Sequence, residues 1–180
     1  MVKYSRQPAE KAKTAMSKVK DQRAHFKNTF NTANAVKGMR IKRALAYLEQ
    51  VLEHKAIIGF TKHLAQRHAQ CKQVGTNPGR WPEKSVKAVR LLLNNLKANC
   101  ESKGLDIDKC VISHVAVQRA QQGRRRTYRA HGRVTPYLSS NCHIEFHATE
   151  KAPQVAKAEK AAPKLTKKLA ARRLAIGGKQ

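Results

Sequence analysis

The sequence predicts an α+β fold: helices through the first hundred residues, then an antiparallel β-hairpin that projects from the body, with basic extensions at both ends. Three observations carry this. Apolar residues recur at helical spacing in three segments before Gly104. Beyond Lys109 the apolar period changes to two in a pair of segments that flank one stretch. That stretch, "QRAQQGRRRTYRAHGRVTPY" at residues 118–137, holds six arginines and no acid.

Residues 1–27 contain eight Lys or Arg against two acids and few large apolar groups. They read as a basic arm, extended or disordered over the first dozen residues, ending in a short strand near "SKVKDQRAHF". In "HFKNTFNTANAVKG", Phe26, Phe30, Ala33 and Val36 or Lys37 fall on one helical face, and Gly38 suits the residue just past a helix end. "MRIKRALAYLEQVLEH" restarts the pattern. Ile41, Ala44, Leu45, Leu48, Val51 and Leu52 form its apolar stripe, with Arg40, Lys42, Arg43 and Glu49 off it. Residues 55–80 read as an irregular basic insertion in which "AIIGF" is a short strand or a buried turn, and Asn77-Pro78-Gly79 is turn punctuation. "WPEKSVKAVRLLLNNLKANCESKG" is a helix. Pro82 suits its first position, Glu83 its first turn and Gly104 its end, while Val86, Val89, Leu92, Leu93 and Leu96 mark the core face. Trp81 reads as a packing residue at the helix start, with base stacking as the alternative.

The two period-two segments are "KCVISHVAVQ" and "NCHIEFHA". In the first, Val111, Ser113, Val115 and Val117 fall on one face, and Ile112, His114 and Ala116 on the other. In the second, Cys142, Ile144, Phe146 and Ala148 oppose His143, Glu145 and His147. Paired as strands they put the arginines at a hairpin tip. Fully extended, residues 111–128 reach on the order of 50 Å at about 3.3 Å per residue. A compact domain of this size has a radius of gyration near ~16 Å. A tip of Arg, Gln and Gly has little apolar surface to fold back with, so it projects. After Glu150 the chain is rich in Ala, Lys and Pro, with nine basic residues and one acid; it reads as a solvated tail, or one weak helix carrying Leu165, Leu169 and Ile176.

Charge restricts the partner. Lys and Arg number 38 against 11 acids, a formal charge of +27. Self-repulsion of this size destabilises a compact chain until a polyanion neutralises it, and nucleic acid is the chemically obvious polyanion, an anionic membrane surface the weaker one. No apolar run approaches the length that spans a bilayer, and the N-terminal residues have no apolar leader core, so secretion is not expected. Val2 excludes N-myristoylation. Cys71, Cys100, Cys110 and Cys142 have no CxxC spacing and read as reduced thiols.

Catalytic signatures are missing. No phosphate-binding glycine loop occurs, and the acids are too few for a paired-carboxylate site. His143 and His147 share a strand face but lie about 13 Å apart, too far for one ion, and His63 and His68 lack a third ligand nearby. The expectation is no enzyme, no metal and no cofactor.

Further residues carry a resemblance. "YRAHGRV" at residues 128–134, followed by "CHIEF", resembles a large-ribosomal-subunit protein family whose bacterial members are called protein L twenty-two and whose eukaryotic members are called protein L seventeen. The family pattern is roughly "PRAxGRA" before the last strand and "SHIxVxV" within it. Arg129, Ala130, Gly132 and Arg133 match, as do His143 and Ile144. Tyr128 departs from the usual Pro, Val134 from Ala and Cys142 from Ser. "VKGMRIKRALAYL" is similar to the family's "IRGxxxxxALxxL" at Gly38, Ala44, Leu45 and Leu48. "GRWPEKSVKAV", "KGLDIDKCVISHV", the insertion and the tail resemble the eukaryotic and archaeal branch.

The resemblance covers about residues 17–150 and implies a small three-stranded antiparallel sheet packed with helices, with a long hairpin at about residues 109–148. Residues 1–16 would then be a basic arm and 151–180 a basic tail. It implies a structural protein of the large subunit that binds ribosomal RNA beside other large-subunit proteins. Its hairpin would line the tunnel for the nascent polypeptide, and the protein would be cytoplasmic after nuclear or nucleolar assembly. The implied RNA contacts are Lys18, Lys20, Arg23, Arg80, Arg119, Arg124, Arg125, Arg126, Arg129 and Arg133. The tip would be formed by Gly123, Thr127, Tyr128, Ala130, His131 and Gly132. The competing reading is a chromatin or linker-histone-like DNA binder, suggested by "AEKAAPKLTKKLAARR"; it leaves the arginine hairpin unexplained.

Overall fold

The computed structural model describes residues 4–63 and 78–151. The centre of the insertion, with His68 and Cys71, and the tail with its weak helical pattern lie outside these residues. The element order is β1 (Thr14–Gln22), α1 (Phe26–Val36), α2 (Ile41–Leu52), β2 (Ile58–Gly59), β3 (Gly79–Arg80), α3 (Glu83–Ser102), β4 (Cys110–Arg119), β5 (Gly123–Tyr128), β6 (Val134–Ser139) and β7 (Cys142–Glu150). The α+β class holds: helices pack on an antiparallel three-stranded sheet of order β1-β7-β4.

Two of the helices, α1 and α3, end where the sequence says they should. Gly38 follows the Lys37 cap of α1 with φ +82°, and Gly104 follows the Lys103 cap of α3 with φ +68°. At Gly104 the turn closes as a Schellman motif: Leu105 N donates to Cys100 O at 3.0 Å and Gly104 N to Glu101 O at 2.9 Å. Pro82 sits one position earlier than expected, at the cap of α3. The α2 stripe is the predicted one, with Ile41, Ala44, Leu48 and Val51 buried. In α1 the buried face is Thr29, Asn31, Thr32, Ala33 and Val36, whereas Phe26 and Phe30 are half-buried and pack on each other at its side.

The core lies between the helices and one sheet face. Val86, Val89, Leu93 and Leu96 of α3 meet Ala15 of β1 and Ile144, Phe146 and Ala148 of β7. Each such aliphatic side chain contributes about 1.5–3 kcal/mol by leaving water. A β-bulge at Ser113 changes the expected face of β4. Ile112 pairs with Ala148 and His114 with His147, so Ser113 is the extra residue. Ile112, Val115 and Val117 therefore share the core side, and Ser113 is exposed. Strict alternation from Val111 to Val117 is broken by that one residue.

The two ends of the insertion are pinned together. Ile58 pairs with Arg80 and Gly59 with Gly79. A Cβ at Gly79 would collide with the Ile57 side chain, so the close approach requires glycine. Trp81 is 38% exposed, with its ring beside His54 and its Nε1 donating to Ala56 O at 2.9 Å.

The other sheet face carries polar residues beneath an N-terminal strap. Glu145 and His147 on β7 are 1% and 2% exposed. Ser5 donates to Glu145 Oε2 from its backbone N, at 2.9 Å, and from its hydroxyl, at 2.6 Å. Lys18 binds the other carboxylate oxygen, and Tyr4 meets the His147 ring edge-on at 5.7 Å.

Candidate nucleic-acid interface

The arginine segment forms a second ladder continuing the first. Gly123 pairs with Ser139, Arg124 with Leu138, Arg125 with Tyr137, Arg126 with Pro136, Thr127 with Thr135 and Tyr128 with Val134. One face therefore presents Arg124, Arg126 and Tyr128 with Leu138, Pro136 and Val134; the opposite face presents Arg125 and Thr127 with Tyr137 and Thr135. Every residue of β5 and β6 is exposed except the half-buried Thr127. Pro136 is tolerated because β6 is an edge strand. A Cβ at Gly123 would sit 2.6 Å from Ser139 Oγ, so a side chain there would need the Ser139 hydroxyl to turn aside.

The tip turns through Arg129–Arg133. Arg129 N donates to Arg133 O at 2.8 Å, and Ala130–Gly132 make a single tight turn. His131 and Gly132 both have positive φ, +59° and +68°. Glycine adopts this without cost, and histidine is among the side chains that tolerate it. Both flanking arginines, Arg129 and Arg133, are exposed on this turn.

The structure brings Arg119, Arg124, Arg125, Arg126, Arg129 and Arg133 onto one projecting element, all exposed. Arg125 lies over the Tyr137 ring at 5.3 Å and Arg119 over Phe26 at 5.1 Å. Gln22 and Arg119 both pair with Cys142, so the end of β1, with exposed Lys20 and Arg23, lies level with Arg119 at the hairpin neck. Arg80 is separate, half-buried on β3 over the Phe60 ring. Lys18 also differs: its ammonium is committed to Glu145 inside the strap contact.

A second basic surface was not visible in the sequence. Lys37, Arg40, Lys42, Arg43, Lys109 and Lys151 line an open groove of about 1040 Å³. They come from three distant segments, joined by the Arg40–Val111 bridge and by the bond from Ile112 N to Met39 O. Asp108 is the acid in the groove, and Lys42 holds it at 2.6 Å.

Titratable groups in the body are arranged for structure. Burial pushes the Cys100 thiol up to about 12, aided by neighbouring Cys110, so it stays protonated and is no nucleophile at neutral pH. Burial lowers His147, reinforced by His114 at a ring separation of 4.9 Å, and lowers His114 likewise. Burial alone would raise the Glu145 carboxyl, but Lys18 and the two Ser5 donors outweigh it and hold it below the usual value. Among the described residues no three His, Cys, Asp or Glu gather as a metal site, and no helix is long and apolar enough to cross a membrane.

Comparison with known proteins agrees with this architecture. The family model for ribosomal protein L22p/L17e matches residues 17–149. Large ribosomal subunit protein uL22 of Caenorhabditis elegans is 49% identical over 169 residues, 92% of this chain and 90% of that protein. The Anopheles gambiae uL22 is 45% identical over 97% of this chain and 94% of its own length, and the Dictyostelium discoideum uL22 is 48% identical over 89% and 87%. With a basic hairpin on a three-stranded sheet and a match across nearly the whole body, the chain belongs to the L22p/L17e family of ribosomal proteins and is a structural, non-enzymatic constituent of the large ribosomal subunit.

Proposed function

We propose that the chain binds large-subunit ribosomal RNA through its hairpin and body, and that the hairpin lines the tunnel taken by the nascent polypeptide. The observation that carries this is the acid-free, fully solvated arginine ladder. Five guanidinium groups, those of Arg124, Arg125, Arg126, Arg129 and Arg133, stand on an element with no core of its own, and Arg119 joins them from the end of β4. A guanidinium forks two hydrogen bonds onto a phosphate and is weakly hydrated, so it suits positions where RNA backbones crowd together. Arg119, Arg124, Arg125, Arg126, Arg129 and Arg133 take the phosphates along the hairpin; Lys20 and Arg23 extend the contact at its neck. Arg80 contacts RNA from the body, and Lys18 acts indirectly by fixing the strap. Gly123, Thr127, Tyr128, Ala130, His131 and Gly132 shape the wall at the tip.

Residues 1–16 act as a basic arm, 17–150 as the RNA-binding domain and 151–180 as a basic tail. Neighbouring large-subunit proteins adjoin the body, the protein joins pre-ribosomal particles in the nucleolus, and it works in cytoplasmic ribosomes. The body has its own basic groove and β1 its own cations, so recruitment and tunnel shaping separate. Deleting residues 121–132 removes four arginines and leaves the paired β4 and β7 segments outside the cut. The variant is expected to enter pre-ribosomal particles and to yield subunits with altered RNA order at the tunnel wall and altered nascent-chain stalling. Failure of a folded variant to enter any particle makes the tip the primary anchor. Mature particles identical in tunnel structure and stalling rule out the tunnel assignment.

A further inference from the structure

Where the two ladders meet, the hairpin neck opens into a concavity of about 440 Å³, inside the roughly 300–1,000 Å³ range of small-ligand sites. Backbone bonds fix its rim: Phe26 N donates to Ser140 O at 3.0 Å, and Ala120 N donates to Asn141 O at 3.1 Å. The lining divides by chemistry. On one side Arg119 is held against the Phe26 ring at 5.1 Å, and Arg119 is itself exposed, so its outer surface is open. Around it stand Gln122 and Asn141, whose side-chain amides have no partner among the described residues. Lys27 supplies a cation, and no acid lines the space.

A phosphate site would offer donors alone. Here each amide presents a carbonyl acceptor beside an NH₂ donor, the pairing that base edges read. A guanidinium plane backed by an aromatic ring is a stacking platform for an unpaired base, and such platforms are how proteins read unstacked RNA. Lys27 lines the same space and offers a cation to a phosphate beside an inserted nucleotide.

We infer that the neck pocket between α1 and the hairpin is a binding site for a single unpaired nucleobase, stacked on Arg119 and hydrogen-bonded by Gln122 and Asn141. This rests on the RNA-binding reading above and adds a base contact to phosphate contacts. The site fixes the hairpin's direction of exit from the body, because both strands of the neck then grip the same nucleotide.

The test compares two probes of equal charge on the full-length protein: a fluorescent hexa-adenylate, and a hexamer of the same sugar-phosphate backbone without bases. Stacking is worth about 1–3 kcal/mol per base, so hexa-adenylate is expected to bind about five-fold to over a hundred-fold tighter. Arg119→Lys keeps the charge and removes the plane; Asn141→Ala removes one amide and keeps the backbone bond. The double variant is expected to lose most of the margin between hexa-adenylate and the abasic probe, whatever fall in abasic binding the Arg119 change brings, with its circular dichroism unchanged. Equal binding of the two probes by the parent, or an unchanged margin in the folded double variant, overturns the base site and leaves phosphate binding standing. Absence of binding to either probe at low salt overturns the RNA reading and the base site with it.

Discussion

The hairpin is one pair of strands built under two sets of rules. Near the body, β7 lies between β1 and β4 and buries Ile144, Phe146 and Ala148 against the helices. Beyond the neck, β5 and β6 keep the antiparallel ladder but bury no side chain. The backbone hydrogen bonds are alike; what differs is everything the side chains do. An isolated two-stranded ribbon is marginal in water, and this one also gathers like charges. The lower half is folded by its own core, and the upper half is shaped to be completed by a polyanion.

That contrast is most directly broken by truncating one aromatic in each half. Phe146→Ala opens a cavity in the core and is expected to cost about 3–5 kcal/mol of folding stability. Tyr137→Ala, on the exposed ladder, is expected to stay within about 0.5 kcal/mol. Urea titrations of the two variants check this, and comparable losses would mean that the tip contributes to the fold.

Salt tests the charge side of the comparison. With about six phosphates neutralised, the log–log slope of RNA affinity against salt should be roughly −4 to −5, about a three-hundred-fold loss or more between 50 and 200 mM. The tip deletion should show a visibly shallower slope. A flat response in filter-binding or anisotropy titrations would refute phosphate neutralisation as the basis of binding.

The smallest expected effect belongs to the strap on the back of the sheet, and it concerns pH. His114 and His147 have folded pKa values below the usual one near 6.5, so their neutral forms are favoured in the fold. Their contribution is full above about pH 6.5 and is lost as pH falls toward the lower folded values. Glu145 is also lowered, so its contribution persists until pH falls below about 4.3 and is then lost. Urea midpoints should therefore decline in two stages on acidification. Replacing both histidines with glutamine should remove the first stage alone, while tip truncation should alter neither. A single-stage decline in the parent would count against the histidine pair.

Much of this was legible in the sequence because the signals were local. Gly38 and Gly104 mark helix ends by the one backbone conformation that glycine adopts freely. The period-two runs and the missing acids placed the hairpin. The bulge at Ser113 was not legible: Ile112 and Val111 are both apolar, so the pattern reads equally well in either register until the partner strand selects one. Nor was the Ser5–Glu145 contact, which joins residues 140 apart through a single carboxylate. The groove around Arg40 and Lys109 escaped for the same reason, since adjacency across a sheet edge leaves no period. Of the proposed RNA contacts, those on the hairpin share one run of sequence, whereas the neck pocket draws on residues from 25 to 141.

The strap also sets a clock on the molecule's own synthesis. Ser5 and Tyr4 are made first, but Glu145 and His147, which hold them, come about 140 residues later. At about 5–20 residues per second, that interval lasts roughly 7–30 s. Throughout it the arm has no acceptor and stays open to enzymes and escorts that act on emerging chains. Once β7 docks between β1 and β4, the arm closes over the carboxylate, so access to this stretch is a property of the molecule's age.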